Sequence, residues 1–233
     1  MKLDRLISRH DSLGRATALR MIASRRVKVD GVTIVDGHHM VDRFSQIELD
    51  GKPLQQAGRP LYMMVHKPVG YVSATMDAEL PTVLDLVNDA SKHELHIAGR
   101  LDRNTSGLML LTNDGRWSKS ITESIHGVPK VYEVETAEVL KPDDVAAFAA
   151  GFYFHTEDIT TKPARLEILG PQQARVTLME GRYHQVKRMF HRVNNRVTGL
   201  HRSSIGAIVL PVALKPGQWR WLTAEEAASF ALP

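Results

Sequence analysis

Gly99-Arg100-Leu101-Asp102-Arg103-Asn104-Thr105-Ser106-Gly107-Leu108 is a charged loop bounded by glycines, and it runs straight into the apolar stretch Leu108 to Leu111. A short unbroken apolar run reads as a buried strand, so this segment puts a loop at the mouth of a sheet. Glycines let the backbone approach a ligand closely, and a loop anchored by a sheet can hold a carboxylate at a fixed position. Asp102 is the best-placed acid. Spacing alone favours a plainer role for it, as a turn or capping residue paired with Arg100 or Arg103.

Working outward, Tyr62 to Val65 reads as a strand, Lys67-Pro68-Val69-Gly70 as a tight structural turn, and Tyr71 to Ser73 as an extended piece. Val131 to Thr136, Ala164 to Leu169 and Ala174 to Met179 have strand-like apolar and β-branched content. Helices are expected at Thr82 to Val87, Asp143 to Ala150 and Tyr183 to Val193. Another is expected near the end, where Thr223 and Glu226 have capping-box spacing. Strands outnumber helices and do not alternate with them. The expectation is an α+β fold with a mainly antiparallel mixed sheet and flanking helices, rather than a doubly wound nucleotide-binding fold. No glycine-rich loop of the Walker or dinucleotide type is present.

A chain of 233 residues accommodates one good core and a small second domain. Residues 1–58 read as that smaller unit and residues 59–233 as the larger one, with Gln55 to Pro60 as a polar linker. In the small unit Leu3, Leu6 and Ile7 fall at helical spacing, and a second helix from Arg15 to Ser24 carries Ala16, Leu19, Ile22 and Ala23 on one face. Val27 and Val29 alternate with charged residues, Asp30-Gly31 makes a hairpin turn, and Val32 to Val35 returns as its partner. Gln46 to Leu49 is a third strand.

Composition is that of an ordinary folded protein, 43% hydrophobic and 24% charged, with a net charge of +4. There are no cysteines, which removes disulfides and cysteine zinc sites and suits the cytoplasm. Neither a signal peptide nor a membrane span is expected. The charge is concentrated. Met1 to Gly58 holds ten Lys and Arg against seven acids, and Glu180 to Arg202 holds six against one, with three histidines besides. These are the candidate contacts with a polyanion. Arg15, Arg20, Arg25 and Arg26 lie off the second helix's apolar face or just past its end. Glu180-Gly181-Arg182-Tyr183-His184-Gln185-Val186-Lys187-Arg188-Met189-Phe190, as a helix, packs Val186, Met189 and Phe190 and leaves the basic residues on the other side.

Lys67 to Gly70, Gly99 to Leu108, Lys130-Val131-Tyr132 and Glu180 to Phe190, taken in order over nearly the whole chain, resemble the RsuA family of pseudouridine synthases. Within it the resemblance runs to the members acting on 16S RNA more than to those acting on the large subunit. The N-terminal segment resembles the small RNA-binding module shared with a ribosomal small-subunit protein, through Lys2-Leu3-Asp4-Arg5-Leu6 and Val27-Lys28-Val29-Asp30-Gly31. It departs from that pattern at Gly14 and at Arg25-Arg26.

The resemblance implies a cofactor-free isomerisation of one uridine in ribosomal RNA, with Asp102 as the catalytic carboxylate. A carboxylate stays ionised more easily beside a cation, and by family position Lys187 is that partner. Tyr132 would lie against the flipped uracil, Arg100 would hold space or phosphate as the base leaves, and Arg182 and Arg188 would contact phosphate. No metal is expected, because the eleven histidines form no set at zinc spacing. A monomer is expected. The competing readings are the same chemistry on 23S RNA, and a non-enzymatic RNA-binding assembly factor. The second explains the charge but gives no reason for Asp102, Tyr132 and Lys187 to occur together.

Overall fold

The computed structural model describes residues 1–10 and 13–230, and the chain divides into two compact units, Met1–Pro60 and Leu61–Pro233. The first unit contains α1 (Leu3–Arg9), α2 (Arg15–Ala23), β1 (Val27–Val29), β2 (Val32–Thr33), β3 (Ile47–Leu49) and β4 (Lys52–Gln55). The strands form an antiparallel sheet in the order β2-β1-β3-β4. Asp30-Gly31 and Asp50-Gly51 close its two tight hairpins with both residues at positive φ, the conformation a type I′ turn requires. One core joins Leu3, Ile7, Ala18, Ile22, Val27, Val29, Val41 and Ile47.

Three expectations for this unit are corrected. α2 buries Ala18 and Ile22, one turn apart, while Ala16, Leu19 and Ala23 are exposed. Helix periodicity could not choose between two overlapping stripes without the partner that covers one of them. β2 stops at Thr33. Gln55, expected in a linker, closes β4, and its side-chain amide donates to the carbonyls of Asp42 and Ser45.

The second unit runs β5 (Tyr62–Lys67), β6 (His96–Ile97), β7 (Ser106–Thr112), α3 (Gly115–Thr122), β8 (Lys130–Thr136) and α4 (Pro142–Ala150). It continues through β9 (Tyr153–Phe154), β10 (Ile159–Thr160), β11 (Arg165–Gly170), β12 (Gln173–Leu178), α5 (Gln185–Arg192), β13 (Val197–Ile205), β14 (Ile208–Val209), β15 (Trp219–Trp221) and α6 (Ala224–Ala228). Its main sheet follows the order β11-β12-β8-β13-β7-β5-β15, with β14 on β13 and β6 on β7. The β13–β7 pairing is parallel and the others are antiparallel. β5 and β7 are buried on both faces: Met63, Val65, Met109 and Leu111 enter one core, and Met64, Leu108 and Leu110 enter the other. Burial on both sides explains the unbroken apolar run that opened the sequence reading.

The segment expected as a helix at Thr82 to Val87 is a short 3-10 turn, Val83–Leu86, capped by Thr82 and Asp85. α5 starts at Gln185, after a left-handed His184, rather than at Tyr183. No helix among the described residues is long and apolar enough to cross a membrane.

Candidate active site

The strand register sets one row of residues across the sheet. Lys67 on β5 pairs with Gly107 on β7, Gly107 with Arg202 on β13, and Arg202 with Tyr132 on β8. Cross-strand neighbours share a face. Gly107 supplies the gap in the row: its φ is +114°, and a Cβ there would lie 2.3 Å from the Arg202 carbonyl oxygen.

Both cations in the row turn their donors on the Gly99–Leu108 loop. Arg202, 2% exposed, donates through Nε to Leu108 O at 2.9 Å, through Nη1 to Arg100 O at 3.3 Å and through Nη2 to Gly99 O at 3.4 Å. Lys67 Nζ donates to Thr105 O at 2.7 Å, Pro68 O at 3.0 Å and Arg103 O at 3.4 Å. Ser73 Oγ donates to Leu101 O and accepts from Leu101 N. Gly70 N donates to Arg103 O, so the Lys67–Gly70 turn is part of the same clamp. Buried carbonyls need partners, and here charged donors supply them from beneath the loop.

The loop so held presents Asp102. Lys187 Nζ, from α5, lies 2.8 Å from Asp102 Oδ2, and His184 Nε2 lies 3.2 Å from Oδ1. Tyr132, 8% exposed, lines the same crevice, as do Thr105 and Leu200. The Thr105 hydroxyl is buried with no hydrogen-bond partner among the described residues.

A larger cleft of about 680 Å³ opens over Asp102 and is lined by Arg100, Lys130, Tyr132, Tyr183 and Arg202. Burial pushes Lys67 down to about 8, against the pull of Asp102, and the charges of Arg202 and Lys187 push the same way as burial. Burial likewise pushes Lys130 down to about 8, assisted by Arg202 and Lys162. Among the residues lining the cleft, Asp102 is the one carboxylate, and Arg100, Arg103, Lys130, Arg182 and Arg202 are cations. A second cavity of about 680 Å³ is lined by Glu133, Glu135, Asn104 and His201 and by no lysine or arginine, so it does not suit a polyanion.

Arg100 is exposed at the cleft, and its guanidinium has no partner among the described residues. Arg182 lines the cleft and pairs with Glu180 at 3.0 Å. Arg188 turns elsewhere: it holds Glu157 at 2.6 and 2.7 Å, which raises its pKa, and stacks 3.6 Å from the Phe154 ring centre. In the first unit Arg15, Arg20, Arg25 and Arg26 are all exposed. Arg15 pairs with buried Asp4, Arg26 with Asp50, and Arg20 reaches Thr17.

Sequence reasoning did not single out Lys67, Lys130, His184 or Arg202. A signal was present for Lys130, which precedes Tyr132 by two residues and so shares its face of the strand. His184 stood inside a motif already quoted. Arg202 could be found only once β13 was known to lie against both β7 and β8.

A family model described as RNA pseudouridylate synthase matches residues 61–192. A Pseudomonas aeruginosa protein named ribosomal small subunit pseudouridine synthase A is 52% identical over 230 residues, covering 98% of this chain and 100% of that one. The Escherichia coli K12 protein of the same name is 44% identical over 229 residues, covering 98% and 99% respectively. A solved structure described as a pseudouridylate synthase is 37% identical with a TM-score of 0.73, and the likeness covers 99% of this chain and all of that one. The chain belongs to the pseudouridine synthases, in the RsuA family.

Proposed function

We propose that the protein converts one uridine of 16S ribosomal RNA to pseudouridine, with Asp102 as nucleophile. The observation that carries this reading is the Asp102–Lys187 ion pair at the floor of a cleft whose other charged groups are cations. The names of the Pseudomonas and Escherichia relatives favour the small subunit as target.

The reaction breaks the bond from ribose C1′ to uracil N1, turns the base and rejoins it through C5; C5 gives up a proton and N1 takes one, so no atom is gained or lost. The uridine leaves its stack to reach the crevice, at an unstacking cost of about a few kcal/mol. Lys187 orients the Asp102 carboxylate through a charge-assisted hydrogen bond. Tyr132 lies against the uracil, and its hydroxyl is available for the C5 proton. The unpartnered Thr105 hydroxyl offers a hydrogen bond to a polar edge of the base. Arg100 holds phosphate or fills the vacated stack, and Arg182 adds a phosphate contact.

The exposed arginines of the first unit, Arg15, Arg20, Arg25 and Arg26, bind RNA backbone outside the crevice. Arg188 contacts phosphate only by giving up its pairing with Glu157. The protein works as a cytoplasmic monomer on rRNA or an assembling particle. The test is to incubate it, without added cofactor or metal, with small-subunit RNA, small-subunit particles and large-subunit RNA, and to map pseudouridine. One new pseudouridine in a small-subunit substrate is expected. A product confined to large-subunit RNA moves the target, and RNA binding with no product in any substrate contradicts the reading.

A further inference from the structure

Tyr183 exposes 73% of its surface at the rim of the cleft over Asp102. Its ring is not loose. One face stacks on the His184 imidazole, with centroids 3.9 Å apart and planes 16° from parallel. His184 is in turn fixed by a left-handed backbone at φ +49° and by its contact with Asp102 Oδ1. The Tyr183 carbonyl accepts from Arg188. Its phenol hydroxyl has no hydrogen bond among the described residues, so the ring is not positioned to satisfy a hydroxyl.

A large aromatic face held rigid in water, one side covered and the other open, is ready to stack with a second planar group. The neighbouring charge selects which kind: Arg100 and Arg182 line the same cleft, with Lys130 and Arg202 beneath it. Aromatic platforms flanked by cations are the physical requirement for single-stranded nucleic acid, the ring taking a base and the cations its phosphates.

Resting on the synthase reading above, we propose that Tyr183 is a stacking platform for an RNA base that neighbours the target uridine. The stack continues Asp102–His184–Tyr183–base, so the ring that receives the neighbour is tied to the carboxylate that receives the target. Stacking tolerates any base, and Tyr183 therefore contributes affinity and placement rather than sequence choice.

The test places 2-aminopurine, whose fluorescence falls on stacking, at each position flanking the target uridine in an RNA substrate, and compares wild type with Tyr183→Leu and Tyr183→Phe. For the leucine variant kcat/KM is expected to fall about tenfold, with the loss in KM rather than kcat, and the quenching at one position to disappear. Tyr183→Phe keeps the ring and is expected to recover both. Wild-type KM and wild-type quenching at every position in Tyr183→Leu would overturn the proposal, as would a loss confined to kcat. A wild-type protein that makes no pseudouridine but still quenches one flanking base would strike the activity reading and leave this contact standing.

Discussion

Lys187 Nζ lies 2.8 Å from Asp102 Oδ2, joining α5 to the loop before β7 across 85 residues of chain. The ammonium fixes one carboxylate oxygen, and misplacing a reacting group by about 1 Å can cost about 100-fold in rate. Lys187→Met is expected to lower single-turnover rate by about that factor while RNA affinity changes about twofold. Lys187→Arg, which keeps the charge, is expected to recover most of the rate. Equal rates for the methionine variant and wild type would remove Lys187 from the chemistry.

Arg202 serves three loop carbonyls with one planar fork, a geometry that lysine cannot reproduce. Arg202→Lys keeps the charge but leaves the buried Leu108 carbonyl and the part-buried Gly99 and Arg100 carbonyls short of donors, at about 1–3 kcal/mol for the buried group and less for the other two. The expected outcome is a lowered melting temperature together with a rate loss of about 100-fold, since the same carbonyls carry Asp102. A folded variant with the full rate would show that the loop needs no clamp.

Lys67 and Lys130 give the fold a pH dependence opposite in sign to that of a lysine in an ion pair. Burial sets both near 8 in the folded chain, below the ordinary lysine value of 10.5. Between those values the unfolded chain binds more protons, so stability contributed by these groups rises with pH from about 8 to about 10.5 and stays at its lower level below 8. The melting temperature of wild type relative to Lys130→Met is therefore expected to climb from about pH 7.5 to about pH 10. A difference that does not move with pH would contradict burial as the cause.

Gly107 and Gly14 both have positive φ, but they differ in their surroundings. A Cβ on Gly107 meets the Arg202 backbone at 2.3 Å, whereas one on Gly14 has nothing within 4 Å among the described residues. Gly14→Ala is expected to cost about 1–2 kcal/mol from backbone strain alone, since φ +71° with ψ 154° is a conformation that glycine alone adopts readily. Gly107→Ala is expected to cost about 3 kcal/mol or more, because strain and a backbone clash act together. Denaturant midpoints of the two variants check the order, and equal costs would rule out the close β7–β13 approach.

The strands β7, β8, β11 and β12 were legible to within a residue or two because their apolar and β-branched runs follow sheet burial. β13 was not. Its interior holds Gly199, His201, Arg202 and two serines, and it is a strand because β7 and β8 flank it, which is information the local sequence does not carry. α3 was missed for a related reason, since its buried positions include Ser118 and Ser120 beside Trp117 and Ile121.

The loop around Asp102 could be recognised from its glycines and its charge, yet spacing favoured a turn role for Asp102. Its proposed chemistry and its partner at Lys187 were suggested by family resemblance, because no local pattern joins residues 85 apart. Lys67 read as the start of a turn, but it closes β5 and pairs with Gly107. That its ammonium reaches the carbonyls of the Asp102 loop depends on the β5–β7 register and on the room left by Gly107.

The central claim is that Asp102 performs the isomerisation, and Asp102→Asn tests it most directly, because asparagine keeps the size and shape of the side chain while removing its charge and one of its two acceptor oxygens. Wild type and variant should be incubated with the same small-subunit substrate, and pseudouridine and RNA affinity measured on each. The account predicts that the variant binds RNA within about threefold of wild type and forms no pseudouridine, a loss of at least about 1,000-fold in rate. Pseudouridine formed by Asp102→Asn at a rate near that of wild type would contradict it.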